Sequence, residues 1–396
     1  MATPNKILHL DLDAFFCAVE EQHNPSLRGK AFAVGGRPDQ RGVVASCSYV
    51  ARKLGIHSAM AMARAVRLCP HLIIVPPHYS TYQAMSEQVM ERLHNLTPLV
   101  EQLSIDEAFL DVTDLPQPTE QIARRLQATI RQELELPCSI GVASNKLVAK
   151  IANNVGKDSA TLGEGHTPNA ITVVPPGHEA TFLAPLPATA LWGVGPKTAT
   201  QLEAIGLRTI GDIAHWPQAD LVRRFGKLGL ELAQRAKGID PRPVETDHEA
   251  KSISQEITFS KDVTDGDTLR HTLRGMSEQV GYRLRQAELS GTTIRLKIRW
   301  ADFTTLTRQL TLPQPTHSDT EIYAAVEQLF TVVWPPGKRV RLIGVGVSNF
   351  DRPARQLGLW DTAEHTTDQQ LQETLDDLKK RFGQQVVKRG SQLNKK

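Results

Sequence analysis

The stretch Ser104-Ile105-Asp106-Glu107-Ala108-Phe109-Leu110-Asp111-Val112 sets two adjacent carboxylates at the mouth of a strand. Ala108, Leu110 and Val112 alternate, so one face is buried, and Glu107, Phe109 and Asp111 look the other way, toward solvent or a ligand. Neighbouring side chains on a straight strand point to opposite faces, so Asp106 and Glu107 can aim at one point only if the backbone turns there. A second segment supplies a third carboxylate. In Ile7-Leu8-His9-Leu10-Asp11-Leu12-Asp13, the leucines share one face and Asp11 falls on the other. If the two strands are neighbours, Asp11, Asp106 and Glu107 form a patch of negative charge. Such groups raise one another's pKa unless cations offset them. The patch suits hard divalent ions with oxygen ligands, Mg²⁺ first, facing an open cleft rather than lysine or arginine. Taken singly, the same residues read as a polar hairpin turn and a strand end.

A chain of 396 residues is too long for one ordinary core, and two to four domains are expected. Its 40% hydrophobic and 22% charged content belongs to a globular protein. The net charge of +3 is too small to argue for nucleic acid, so local distribution must decide. Cys17, Cys47, Cys69 and Cys138 are scattered with no CxxC pair, which fits a reduced cytoplasmic protein without a zinc site. Lys6, Asp11 and Asp13 interrupt the N-terminal apolar run, and no stretch is long enough to span a membrane.

In chain order, strands are expected at 7–12, 31–34, 43–46, 100–103 and 138–143, and helices at 15–22, 48–54, 59–69, 79–95 and 120–134. The order describes an α+β sheet with helices on one face and the carboxylates on the uncovered side. Tyr49 and Arg52 are three apart on one helix and could hold a polyphosphate, Arg through its bidentate fork, or could be a plain surface pair. Asn145, Lys146 and Lys150 start a helix running through Asn153, with Lys157 in the next loop as a further cation for phosphate or a solvated charge.

From about 163 to 187 the chain is rich in Gly, Pro and Thr, which suggests a boundary. In Leu191-Trp192-Gly193-Val194-Gly195-Pro196-Lys197-Thr198 two glycines bracket one apolar residue between short helices, presenting backbone N–H groups at a helix start. This resembles the helix-hairpin-helix motif, which grips DNA phosphates without reading bases. A structural helical hairpin is the alternative. Phe225-Gly226-Lys227-Leu228-Gly229 resembles a degenerate second copy. Residues 239–250 read as an exposed linker. Beyond it, strands at 251–259, 291–300, 304–312 and 340–349 and helices at 266–287 and 318–333 form a βαββαβ domain. Ile294, Leu296, Ile298 and Trp300 alternate with Arg295, Lys297 and Arg299, and Arg339 and Arg341 alternate around Val340 and Leu342. An exposed basic sheet face favours a nucleic-acid backbone. In the tail, Leu371, Leu375, Leu378 and Phe382 make an amphipathic stripe, read as local packing.

Together, Asp11-Leu12-Asp13-Ala14-Phe15-Phe16, Tyr49-Val50-Ala51-Arg52-Lys53, Ser104-Ile105-Asp106-Glu107 and Asn145-Lys146 with Lys150 and Lys157 resemble the Y-family translesion DNA polymerases, closest to the bacterial DNA polymerase IV (DinB) branch, over about residues 5–350. The resemblance implies a multidomain right hand: palm at 1–14 and 80–166, fingers at 15–79, a helix-hairpin-helix thumb at 167–238, a linker at 239–250, a βαββαβ little finger at 251–350, and a tail at 351–396. It implies two Mg²⁺ ions held by Asp11, Asp106, Glu107 and the Leu12 carbonyl, and a triphosphate held by Tyr49, Arg52 and Lys157. Phe16, otherwise a core aromatic, takes the steric-gate position that excludes a ribose 2′-OH. Val43 and Ala59 fall where the family places small residues over the nascent base pair.

Gly193, Gly195, Lys197, Thr198, Arg295, Lys297, Arg299, Arg339 and Arg341 would contact primer–template DNA, and Gln356, Leu357, Leu359 and Trp360 resemble a sliding-clamp-binding peptide. The implied activity is low-fidelity, translesion, two-metal synthesis from dNTPs by a cytoplasmic monomer. Two departures concern loop shape: Ala61 replaces a common Pro, and Asp158-Ser159-Ala160 replaces Pro-Asn-Gly or similar. The rivals are a catalytically weak or inactive DNA-repair scaffold recruited by the clamp, a nucleotide cyclase, and a helix-hairpin-helix nuclease. The acidic trio argues against the first, and the hairpin with the basic sheet against the second.

Overall fold

Strand β1 (Ile7–Leu12) is buried on both faces, which places it inside a sheet rather than at an edge. The computed structural model describes residues 4–161, 168–247, 249–351, 374–378 and 380–382. They divide into two units, residues 1–248 and 249–396.

In the first unit, β1 is followed by α1 (Phe15–His23), β2 (Phe32–Gly35), β3 (Val44–Cys47), α2 (Tyr49–Lys53), α3 (Met62–Leu68), β4 (Ile73–Val75), α4 (Tyr79–Leu96), β5 (Val100–Gln102), β6 (Glu107–Asp111), α5 (Thr119–Leu134), β7 (Cys138–Ala143), α6 (Lys146–Thr161) and β8 (Ile171–Val173). Five strands form one sheet in the order β5-β6-β1-β7-β8, and β3-β2-β4 form a separate small one. β1 runs antiparallel to β6 and to β7, with Asp11 opposite Glu107 on one side and Ser139 on the other. Leu8, Leu10, Leu12, Ala108 and Leu110 pack with apolar residues of α1, α4 and α5.

The opposite face was expected to be uncovered; instead α6 lies on it. Phe109, expected to look outward, is fully buried in a cluster with Leu147, Val148 and Ile151. Gly141 makes this possible: a Cβ there would stand 1.9 Å from the Ala149 carbonyl oxygen and 2.5 Å from the Asn153 nitrogen, so only glycine admits the helix so close. Helix α6 also continues past Asn153, so Lys157 sits on the helix and not in a loop. Nothing in 153–157 breaks a helix except Gly156, and its missing Cβ leaves room for Thr172 Oγ1 of β8. Strand β8 itself lies in the Gly/Pro/Thr-rich region read as a boundary. Its three residues were too few to show an alternation. Helix α3 starts at Met62 rather than Ala59, because Ala59 takes a left-handed φ of 66° and Ala61 forms a bridge with Val43.

Next come α7 (Glu179–Leu183), α8 (Pro196–Glu203), α9 (Ile210–His215), α10 (Gln218–Phe225) and α11 (Lys227–Arg235). The segment read as an exposed linker is exposed at most of its described positions and is tied down at two points. Asp240 accepts the Leu147 N–H at the start of α6 (3.2 Å), and Glu101 accepts the Glu245 N–H (2.9 Å) while paired with Lys146 at 2.7 Å. The remaining polar groups face solvent, as the composition suggests.

The second unit comprises β9 (Ser252–Val263), α12 (Gly266–Gln286), β10 (Ser290–Trp300), β11 (Thr305–Thr316), α13 (Asp319–Val333) and β12 (Val340–Asp351). This is the βαββαβ order, folded as an antiparallel sheet β11-β10-β12-β9. Ile294, Leu296, Ile298 and Trp300 are buried against α12 and α13. β11 runs past Leu312 through Pro313 and Pro315, which an edge strand tolerates because one row of its N–H groups needs no partner. Among the described tail residues, Asp376 is the buried contact, 2.6 Å from Arg285 Nε, while Phe382 is exposed, so an ion pair anchors this stretch rather than the apolar stripe alone.

Candidate active site

The β1–β6 register brings Asp11 beside Glu107 at one end of the sheet, and the turn at 104–106 adds Asp106. Ser104 shapes that turn. Its Oγ accepts the Asp106 and Glu107 N–H groups (3.3 and 3.2 Å) and donates to Asp106 Oδ1 (2.5 Å). The Leu12 side chain is in the core, so only its backbone can face the site.

The expectation that no lysine compensates this trio is overturned. Lys157 Nζ lies 2.6 Å from Asp11 Oδ1 and 3.0 Å from Asp13 Oδ1, and Lys150 Nζ lies 2.6 Å from Glu107 Oε2. Both lysines come from α6, about two turns apart along the face that Gly141 admits to the sheet. Among the described residues no three acidic, histidine or thiol groups already converge as a metal cage. Burial works against the Lys157 ammonium, but Asp11 and Asp13 outweigh it and raise its pKa. Burial alone would push the Glu107 carboxyl up, but His9 and Lys150 hold it down to about 2. Asp106 is in no ion pair among the described residues. Burial raises its pKa, and Asp11 and Glu107 add to the effect, while the Ser104 hydroxyl and the Lys157 charge nearby pull it down.

Three carboxylates offering hard oxygen donors suit a divalent ion. The lysine ammonium groups now beside two of them sit on flexible stems that can yield to it.

Sequence reasoning missed the support behind this edge. Asp13 is fully buried, accepting from Ser139 Oγ and from the Asn169 N–H, and it ties Lys157 down. His9, two residues before Asp11 on the same face, is fully buried. Asn153 Nδ2 contacts the His9 and Ser139 carbonyl oxygens and His9 Nδ1, which fixes the amide orientation and leaves the ring proton on Nε2, 3.4 Å from Glu107 Oε2. The signal was present in the period-two spacing of His9 and Asp11, but a histidine on a sheet face is also an ordinary core residue.

Tyr49, Arg52 and Lys157 line one cavity of about 560 Å³, together with Asn154, Asp158 and Thr189. Ser48 caps α2 by accepting the Ala51 N–H, and Arg52 stacks over the Tyr49 ring at 4.9 Å. Among the described residues the Tyr49 hydroxyl is buried without a hydrogen-bond partner. Phe16 is half-buried on α1, its ring stacked on Tyr82 at 4.2 Å. Val43 is exposed, next to the Ala61 bridge.

The hairpin before α8 is exposed at Gly193, Gly195 and Lys197, with Thr198 half-buried. Gly193 has φ 99°, a conformation that favours glycine, and Arg235 Nη1 donates to the Trp192 carbonyl behind it. In the second unit Arg295 is exposed, Arg299 bonds Thr305 Oγ1, and Lys297 pairs with Glu256 at 2.8 Å. Arg339 is exposed. A bulge breaks the alternation expected around Arg341: Val340 pairs with Trp300, yet Leu342 pairs with Arg299 and so shares the cation face, while Arg341 stacks on Phe303 at 4.3 Å. Gln356, Leu357, Leu359 and Trp360 lie outside the described residues.

This combination of an acidic strand pair, a helix-hairpin-helix and a βαββαβ domain defines a DNA polymerase of the right-hand type. Residues 10–154 match the impB/mucB/samB family, residues 250–359 its C-terminal domain and residues 176–207 the IMS family HHH motif. The chain is 40% identical to DNA polymerase IV of Desulfatibacillum aliphaticivorans, with 97% of this chain and 96% of that one covered. It is 39% identical to DNA polymerase IV of Dehalococcoides mccartyi strain CBDB1, with 97% of each covered. Among solved structures, it matches a Y-family DNA polymerase chimera of Dbh and Dpo4 segments with a TM-score of 0.76 and 26% identity, covering 87% of this chain and 98% of that one. DinB from Sulfolobus solfataricus gives a TM-score of 0.59 at 26% identity, with the same coverage. The chain belongs to the DNA polymerase IV group of the Y-family DNA polymerases, and its activity is DNA-directed DNA polymerisation from deoxynucleoside triphosphates on primer–template DNA. No helix among the described residues is long and apolar enough to cross a membrane.

Proposed function

We propose that this chain extends primers across damaged template by a two-metal mechanism, with Asp11, Asp106, Glu107 and the Leu12 carbonyl holding two Mg²⁺ ions. When bound, divalent ions at such a site lower the pKa of the primer 3′-OH and neutralise charge on the reacting and departing phosphates. The observation that carries the reading is the juxtaposition of Asp11 and Glu107 in register, with Asp106 on the adjoining turn.

The protein's own share is positioning and charge. Lys157, held by Asp11 and Asp13, lies on the same cavity as Tyr49 and Arg52, so a triphosphate entering there meets an ammonium and a guanidinium beside the Tyr49 side chain. Exchange of Lys157 from carboxylate to phosphate would release Asp11 for the metal as the nucleotide arrives. Phe16 stands as the steric gate against a 2′-OH. Small side chains at Val43 and Ala59 would check the nascent pair loosely, which supports low fidelity and tolerance of lesions. The glycine hairpin with Lys197 and Thr198, and the face carrying Arg295, Lys297, Arg299, Arg339 and Arg341, would grip DNA backbone with little sequence preference. Residues 356–360 would tether a monomer to the sliding clamp, in the cytoplasm.

Primer extension on a templated substrate tests this. The wild type extends with Mg²⁺ and stops with EDTA, and Asp106→Ala loses on the order of a thousandfold in rate. Unchanged extension by that variant removes the proposed site.

A further inference from the structure

Phe16 and Glu20 stand one helical turn apart on α1, and a single side chain of α4, Tyr82, touches both. The Tyr82 ring is stacked on Phe16 with centroids 4.2 Å apart and planes 12° from parallel. Its hydroxyl donates to Glu20 Oε1, which also lies 2.8 Å from His78 Nδ1. Tyr82 is fully buried and Glu20 is 5% exposed. The Tyr79 ring meets both rings edge-on, its centroid 6.0 Å from each. A carboxylate so removed from water, with no lysine or arginine paired to it among the described residues, is costly to keep unless its acceptors are used. Here Oε1 is shared between His78 and the hydroxyl of the residue that backs Phe16. Core packing alone would need the Tyr82 ring but not a buried acid at its tip.

We propose that Glu20 is a positioning residue for sugar discrimination: by anchoring the Tyr82 hydroxyl it fixes the ring that keeps Phe16 from retreating before a ribose 2′-OH. The inference rests on the reading of Phe16 as the gate. A phenol ring is rigid, so holding its oxygen one turn along α1 fixes the plane on which Phe16 rests. Freed at that end, the ring can tilt, and Phe16 can yield by the fraction of an ångström that a hydroxyl needs.

The experiment measures kcat/KM for single insertion of a ribonucleotide and of the matching deoxyribonucleotide in the full chain. Glu20→Ala is expected to raise ribonucleotide kcat/KM about tenfold, the scale of one lost hydrogen bond. A rise cannot come from a misfolded enzyme. Tyr82→Phe keeps the stack, removes the hydroxyl, and should move the ratio the same way; it decides the matter if Glu20→Ala does not fold. Glu20→Gln keeps an acceptor for the phenol and should stay near wild type. In a Phe16→Ala background, Glu20→Ala should add nothing. If Phe16→Ala admits ribonucleotides while neither Glu20→Ala nor Tyr82→Phe shifts the ratio, the positioning role is wrong and the gate stands. If Phe16→Ala itself fails to admit them, the gate reading falls and takes this inference with it.

Discussion

Lys157 Nζ is shared between Asp11 Oδ1 at 2.6 Å and Asp13 Oδ1 at 3.0 Å, so one ammonium links a half-open carboxylate to a fully buried one. Replacing it should therefore affect stability as well as nucleotide use. Lys157→Met strands Asp13 without its cation, and unfolding by denaturant in EDTA should show a loss of about 3 kcal/mol. Adding Asp13→Asn should recover part of that loss, because the stranded charge is then gone. The same Lys157→Met enzyme should show a raised KM for deoxynucleoside triphosphates.

Gly141 is the contact that lets α6 carry Lys150 and Lys157 to the acidic edge. Gly141→Ala drives a methyl into the Ala149 carbonyl oxygen, backbone that cannot swing aside. A stability loss of about 3 kcal/mol is expected, with a fall in extension rate, measured by thermal unfolding and single-turnover kinetics. A wild-type melting temperature would show that the helix can lift off without penalty.

Asp240 ties the segment after α11 to the start of α6. Burial would raise its carboxyl pKa, but the Arg242 guanidinium holds it below the usual carboxylate range. Its stabilising contribution is therefore complete above pH about 4, the unfolded value, and fades as the pH falls through the lowered folded value. Asp240→Asn should cost about 2 kcal/mol at pH 7, and the gap to wild type should narrow toward pH 3 in denaturant titrations.

On the sheet of the second unit, Lys297 is already paired with Glu256, whereas Arg295 is exposed and in no ion pair among the described residues. Arg295→Ala should weaken DNA binding equally across sequences and make the log–log salt slope shallower by about 1. Glu256→Gln should do the reverse by releasing Lys297. Fluorescence anisotropy over a salt series measures both.

Much of this was legible because strands and helices announce themselves by period. The leucines of β1, the alternation of Ala108 and Leu110, and the row Ile294, Leu296, Ile298 and Trp300 each mark a face, and those faces are buried as expected. The pairing of Asp11 with Glu107 was legible for the same reason. What failed depended on contacts that no local pattern carries. A glycine in β7 does not say that a helix lies on it, and so Phe109 looked like an outward residue. Helix α6 looked shorter than it is, because Lys157 is held in place by carboxylates more than 140 positions away. The bulge at Arg341 moves Leu342 to the cation face, and register is a property of the pair of strands, not of either one. Tyr82 carried no signal at all: only its ring against Phe16 and its hydroxyl on Glu20 give it a role.

The most direct measurement is Mn²⁺ binding to the chain loaded with primer–template and a non-hydrolysable nucleotide, followed by electron paramagnetic resonance in wild type and Asp106→Ala. The account predicts two ions per wild-type chain and a loss of tight binding in the variant, in step with the loss of extension. Two tightly held ions and full extension in Asp106→Ala would contradict it.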